Sequence, residues 1–262
     1  MKKKFLSIII VSLNTKKDFL KTLKSCLNQN KSLVEIIVVD GKSEDGTVSE
    51  IMNYKKKISK IVIQKDKGIY DAMNKGIKLA KGNWIIFMNS GDVFYNKNVS
   101  EKLLSFCYKN QSNNQIIFGN TIIFNKFLNY QKIGEYFNNN TIVMPFSHQS
   151  SLVKSDILKK NLFNINLSYS SDFNFFLKCY LKDIKFLKFD NFISKVKAGG
   201  KSDKFRQKVF SENIKIFLRN KSYIKILFVV YLKIFEFLKT ITKLYLPDIF
   251  IRFILKIKYQ RL

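Results

Sequence analysis

The chain has 262 residues, 46% of them hydrophobic, which is enough to bury a core in one domain with an appended segment and excludes a disordered protein. Its 47 basic residues against 19 acidic ones give a formal net charge of +28, an excess that points to an anionic partner such as nucleic acid, a phosphorylated ligand or an anionic membrane. The abundance of Lys, Asn, Ile and Phe also fits an AT-rich coding bias, which writes Lys wherever a polar surface position tolerates it.

The opening MKKKFLSIIIVSLN has a basic cap and an apolar run, but the run is too short for a signal peptide and no small-residue cleavage site follows it. Residues 5–12 (FLSIIIVS) instead read as a strand buried on both faces. Residues 16–29 place Phe19, Leu20, Leu23, Cys26 and Leu27 at helical spacing. VEIIVV (34–39) is a second buried strand ending at Asp40, and GKSEDGT is a turn in which Gly41 and Gly46 are free to take positive φ. Thr47 opens a helix to about Tyr54, ISKIVIQ is a third strand, DKG turns, residues 70–80 form a helix stopped by Gly82, and WIIFMN is a fourth strand. This β-α-β-α-β-α-β alternation over the first 92 residues predicts a parallel, nucleotide-binding type of α/β sheet.

A helix over 99–109 and a strand over 115–118 continue the pattern, residues 119–145 read as short strands and loops, and 172–182 as a helix. From about 203 the chain becomes helical, aromatic and basic, with 15 Lys/Arg against 4 Asp/Glu over 201–262 and Pro247 as its interruption. No run of 18 uncharged apolar residues is present, so no spanning helix is expected. The three cysteines, Cys26, Cys107 and Cys179, are widely spaced without a CxxC and read as buried thiols of a reducing cytoplasm.

Several acids stand where a parallel sheet presents its chemistry, beyond the carboxyl ends of its strands. Asp92, at the end of MNSGD, is aimed outward with Gly91 leaving room; a single acid suits Mg²⁺ or Mn²⁺ shared with waters and substrate phosphates. The alternative is an Asx turn. Asp40 and Asp45 sit beside a Gly-containing turn and either contact a ribose or base or cap the turn and the next helix. Asp66, Lys67, Asp71 and Asn74 pose the same choice around Gly68. His148, the single histidine, reads on its own as a structural residue. Asp172 opens an apolar helix and is either its cap or a general base.

Taken in order, SIIIVSLN (7–14), IIVVDGKSEDGT (36–47), DKGIYDAMNKGIKLAKGNWIIFMNSGD (66–92), PFSHQSSLV (145–153), SSDFNFFLK (170–178) and KAGGKS (197–202) resemble a family-two glycosyltransferase of the GT-A fold, bacterial capsule, lipopolysaccharide and exopolysaccharide type. Each motif is weak alone; the ordered set is specific. The resemblance implies a Rossmann-like catalytic domain over 1–202. The helical basic tail over 203–262, with Lys/Arg between Phe, Tyr, Ile and Leu, reads from its own residues either as a segment lying on an anionic membrane surface or as one packed on the catalytic domain or on a second subunit. It implies a nucleotide-diphosphate sugar donor, expected to be a UDP-sugar, and a glycan or polyprenyl-diphosphate-linked acceptor, with transfer by inversion on the cytoplasmic side of the cell membrane. Ser12 and Asp40 match positions that contact the nucleoside, Asp66, Lys67, Asp71 and Asn74 a donor-lining stretch, Asp92 the last acid of the DxD metal motif, and Asp172 the base. His148 and Gln149 match a signature near donor and acceptor. Two departures stand out: Val11 replaces a frequent Pro, and Ser90 replaces the first DxD acid, leaving one carboxylate for Mg²⁺ or Mn²⁺.

Two competing readings are a nucleotide-sugar nucleotidyltransferase and a basic nucleic-acid-binding protein. The first calls for a Gly-rich loop after strand one, where SLNTKKDF stands; the second calls for a helix-turn-helix, zinc or RNA-binding motif, and none is visible.

Overall fold

A computed structural model describes residues 5–110, 115–125 and 129–245. The first half alternates as the sequence predicts: β1 (Leu6–Ser12), α1 (Lys16–Leu27), β2 (Val34–Asp40), α2 (Thr47–Asn53), β3 (Lys60–Ile63), α3 (Ile69–Leu79) and β4 (Trp84–Asn89). Then come β5 (Val93–Phe94), α4 (Val99–Lys109), β6 (Ile116–Phe124), β7 (Asn129–Lys132), β8 (Ser151–Lys154), α5 (Ser155–Lys160), α6 (Ser171–Leu181) and β9 (Phe186–Lys197). The helices α7 (Lys201–Lys204), α8 (Arg206–Arg219) and α9 (Tyr223–Tyr245) follow.

The strands form one sheet in the order β3-β2-β1-β4-β8-β6-β9-β5, with β7 beside β6. β1, β2, β3, β4, β6 and β9 run one way, and β5, β7 and β8 run against them, so the sheet is mostly parallel. Side chains alternate across the central strands. Ile9, Val11, Ile37 and Val39 face a core completed by Met73 and Ile77 of α3 and Phe173 and Phe176 of α6. Ile8, Ile10, Ile36 and Val38 face a second core with Phe19, Leu23 and Cys26 of α1. Cover on both faces is why these strands read as unbroken apolar runs. Burial also pushes the Cys107 and Cys179 thiols up to about 12 and that of Cys26 higher still, consistent with inert thiols.

Three expectations change. Gly82 does not end α3 in a left-handed turn: the helix stops at Leu79 and Ala80 is already extended. Gly82 serves instead as a close-packing point, because a Cβ there would lie 2.7 Å from the Ser7 backbone nitrogen. Its N–H donates to Glu35 Oε1 at 2.8 Å, an oxygen that also accepts from Lys81 N–H and the Ser7 hydroxyl. Gly41 likewise keeps an ordinary φ, and Lys42 takes the positive value of 70° in its turn. Finally, the strand at 115–118 runs on to Phe124, and β8 and the 12-residue β9 carry the sheet beyond what periodicity shows.

The core continues past residue 203. α8 buries Phe210, Ile216 and Phe217, with the Phe217 ring 5.9 Å from that of Phe173. α9 differs: Val229 is buried, whereas Tyr223, Ile224, Leu227, Phe228, Tyr231 and Phe235 are exposed. Pro247 and the rest of the tail lie outside the described residues.

Gly82→Ala forces its methyl against backbone that cannot yield, and we expect a loss of about 2 kcal/mol or more in unfolding free energy by denaturant titration.

Candidate active site

β1 is where the strand order reverses, with β2 and β3 on one side and β4 on the other. The three central strands end level: Ser12 pairs with Asp40 and Val11 with Asn89. A crevice at such a switch point is where an open parallel sheet binds ligands.

Asp40 is wholly enclosed and Ser12 nearly so. Asp40 Oδ2 accepts from the Ser12 and Ser43 hydroxyls, each at 2.7 Å, and Oδ1 accepts from Ser43 N–H at 2.6 Å. The carboxylate thus fixes the start of the 41–47 loop. Asp66 leans over the same loop, since a Cβ on Gly41 would lie 2.6 Å from Asp66 Oδ2. Asp66 Oδ1 accepts from Gly68 N–H at 2.8 Å, and Asp71 Oδ2 accepts from Lys67 N–H at 3.0 Å and pairs with Lys75 at 3.4 Å. The Lys67 backbone bond leads the causes that lower the Asp71 pKa. Gly68, at φ 116°, supplies the bend, with open space around it. The Lys67 side chain is exposed beside this loop. Asn74 stands apart: its amide accepts from Phe163 N–H and donates to Phe163 C=O, both at 2.9 Å, so it clamps backbone inside the core and does not reach the crevice.

Asp172, at the start of α6, is the hub. Its Oδ1 accepts from the Tyr70 hydroxyl at 2.8 Å and from Phe173 N–H at 2.9 Å; its Oδ2 lies 3.1 Å from His148 Nδ1. Burial works to raise the Asp172 pKa, but the bonds from His148, Tyr70 and Phe173 outweigh it and hold the carboxyl below its ordinary value. Two donors fill the lone pairs of Oδ1, whereas Oδ2 keeps one, and the side chain retains 16% exposure through which a substrate can reach it. His148 Nε2 lies 3.1 Å from Asn89 Nδ2, and Asn89 Oδ1 is buried with no hydrogen-bond partner among the described residues. Turning that amide over would give Nε2 an acceptor, the arrangement an imidazolium needs. The loop before α6 is tied from outside by Glu212 of α8, which accepts from the N–H groups of Ser168, Tyr169 and Ser170 at 2.7–3.0 Å.

Asp92 is 5% exposed. Gln149 Nε2 donates to its Oδ2 at 2.8 Å and Lys197 N–H to its Oδ1 at 3.1 Å. Burial is the largest influence on its pKa and pushes it up to about 6 despite those bonds. A Mg²⁺ or Mn²⁺ site needs several oxygen ligands. The described residues contain no group of three His, Cys, Asp or Glu able to hold a metal, and each oxygen of Asp92 accepts one N–H donor. A cage built from protein ligands alone is therefore absent among the described residues.

Tyr70 and Lys197 join the cluster without having been assigned a polar role there from the sequence. Tyr70 has the spacing of a core residue on α3, and Lys197 belongs to KAGGKS. A cavity of about 110 Å³ along α6, lined in part by Asn164, Ser171 and Lys178, includes none of the expected site residues.

The burial cost of ionised Asp92 has a definite sign. Its folded pKa lies above the ordinary 3.8, so the native state is favoured while the group is protonated and loses that advantage as pH rises from about 4 through 6. The parent should therefore lose on the order of 3 kcal/mol of stability through this group between about pH 4 and pH 7.5, a pH-dependent component that Asp92→Asn should lack; parallel urea titrations of parent and variant at the two pH values check it.

Known proteins of similar sequence and fold are glycosyltransferases. The chain is 27% identical to an uncharacterized glycosyltransferase, MJ1057, of Methanocaldococcus jannaschii, over 88% of this chain and 89% of that protein. It is 37% identical to the UDP-Glc:alpha-D-GlcNAc-diphosphoundecaprenol beta-1,3-glucosyltransferase WfaP of Escherichia coli over 37% of this chain and 39% of that one. Among solved structures, Staphylococcus aureus TarS 1–349 in complex with UDP-GlcNAc superposes with a TM-score of 0.65 at 20% identity, covering 82% of this chain and 66% of TarS 1–349. Mannosyltransferase PcManGT of Pyrobaculum calidifontis, in complex with GDP-Man and Mn²⁺, gives 0.64 at 11% identity, covering 84% and 65%. The chain thus spans about two thirds of the length of these solved structures. The model of Glycosyl transferase family 2 matches residues 7–184, more than half of the sequence, and the chain belongs to that family.

Proposed function

We propose that the chain transfers a sugar from a nucleotide-diphosphate donor, a UDP-sugar, to a hydroxyl of a lipid-linked or growing glycan, in the synthesis of a cell-surface polysaccharide. The observation that carries this reading is the hydrogen-bonded Tyr70–Asp172–His148–Asn89 network beside Asp92 at the switch-point crevice. The UDP-GlcNAc in TarS and the diphosphoundecaprenol acceptor in the name of WfaP support the choice of donor and acceptor class.

The residues divide the work. The loop held by Asp40 and overlain by Asp66 receives the nucleoside. The acceptor hydroxyl approaches the remaining lone pair of Asp172 Oδ2 and gives it a proton as the hydroxyl oxygen bonds to the anomeric carbon. The nucleoside diphosphate departs from the opposite face with the electron pair of the broken bond, which inverts the centre. Charge develops on the sugar ring as in glycoside hydrolysis. A base held below its ordinary pKa takes the proton late, once attack has made the hydroxyl acidic, and His148 and Tyr70 keep the carboxylate aimed meanwhile.

The tail is read as a membrane-surface contact. The exposed face of α9 carries Tyr223, Ile224, Leu227, Phe228 and Tyr231, with Lys221 and Lys225 nearby. Among the described residues no helix is long and apolar enough to cross a membrane. An aromatic face edged by lysines suits the interface of an anionic bilayer, where a polyprenyl-linked acceptor resides.

Asp172→Asn should cut transfer from the cognate nucleotide sugar by about 10²- to 10⁴-fold and leave calorimetric binding of the nucleoside diphosphate unchanged; retained turnover would remove Asp172 from the role. In flotation with phosphatidylglycerol vesicles the full chain should rise with the lipid. A Leu227→Gln, Phe228→Gln, Tyr231→Gln variant should stay at the bottom, and a parent chain that also stays there would reject the membrane reading.

A further inference from the structure

The place where a metal-binding relative would set two acids holds Ser90, Gly91 and Asp92 here, and Asp92 is enclosed by donors. Lys197 is built into the same spot. Its backbone N–H is anchored on Asp92 Oδ1 at 3.1 Å, and its side chain runs across Gly91, where a Cβ would lie 3.4 Å from Lys197 Cδ. Gly91, at φ 102°, has no side chain to obstruct that stem. The ammonium ends 2.7 Å from Asp18 Oδ2 on the first turn of α1, which begins just past the end of β1. Asp18 Cγ would itself lie 3.6 Å from that Cβ, so the ion pair spans the Ser90–Asp92 turn. The Lys197 side chain is 52% exposed, which leaves the remaining ammonium donors open to a ligand.

We infer that Lys197 is the group that neutralises the donor's diphosphate, so that nucleotide binding needs no divalent ion. The inference rests on the nucleotide-diphosphate reading above. Asp18 holds the ammonium over the turn while the crevice is empty. A diphosphate entering beyond β1 and β4 then takes one or two of the remaining N–H donors as charge-assisted bonds. A lysine suits this use because it acts as a compact point charge toward phosphate. The overall charge of +28 makes the approach of an anion favourable from a distance.

Calorimetric titration of UDP and of GDP into the full chain, once with EDTA and once with MnCl₂, tests this. The better of the two nucleotides should bind with dissociation constants that agree within about twofold in the two buffers. In EDTA, Lys197→Gln should weaken binding by about tenfold or more, the usual cost of one charged hydrogen bond. Lys197→Arg, which keeps the charge, should stay within about threefold of the parent. The melting temperature of both variants should match the parent, because the side chain is half exposed and the backbone bond to Asp92 persists. Binding seen only with Mn²⁺, or parent-like binding by Lys197→Gln, would overturn the assignment and leave the nucleotide reading standing. Failure of both nucleotides in both buffers would overturn the two together.

Discussion

The register of the three central parallel strands is the constraint on which everything else depends. β1 lies between β2 and β4 and ends level with both, opposite Asp40 on one side and Asn89 on the other. A one-residue slip in a strand buried on both faces would exchange its two apolar sets and move its terminal polar residue away from the crevice. Because Ile8, Ile9, Ile10, Ile36, Ile37 and Val38 are locked into two cores, that slip is blocked, and residues far apart in the chain are delivered to one rim. The chemistry therefore depends on apolar packing that itself touches no ligand.

At that rim two carboxyl groups have been pushed in opposite directions. Asp172 is surrounded by the donors of Tyr70, Phe173 and His148, and its proton affinity is lowered. Asp92 has two donors, but burial prevails and its affinity rises. Environments that separate two acids in this way commonly separate their roles as well. Asp172 keeps a partly exposed side chain, whereas Asp92 organises the Gln149 and Lys197 segments around the turn that bears it.

Much of this was legible from residues alone. Continuous β-branched runs and helical spacing located β1 to β4 and α1 to α3 within a residue or two at most ends. The acids at strand ends and the start of α6 marked the rim. What periodicity could not supply were elements too short or too irregular to repeat: β5 has two residues, β8 has four, and β9 carries a register irregularity against β6. Side-chain partnerships were equally hidden. Tyr70 has the spacing of a core residue, yet its hydroxyl reaches Asp172, 102 positions later in the chain. Asn74 sits in a run rich in site residues, yet spends its amide on Phe163. Gly82 stood where a helix stop belongs and proved to be a contact with a neighbouring strand. In each case the deciding fact is a tertiary contact, which local sequence does not encode.

Glu212 carries a consequence for how the protein can be dissected. Its carboxylate, on α8, gathers the amides of Ser168, Tyr169 and Ser170, and the helix that bears it also contributes Phe210, Ile216 and Phe217 to the interior. Amides deprived of such an acceptor cost about 1–3 kcal/mol each where water cannot replace it. A minimal fragment ending with the sheet would thus expose an oily scar and slacken the segment leading into Asp172. The interior and the loop before Asp172 thus draw on α8 as far as Phe217, although the sheet is complete at Lys197.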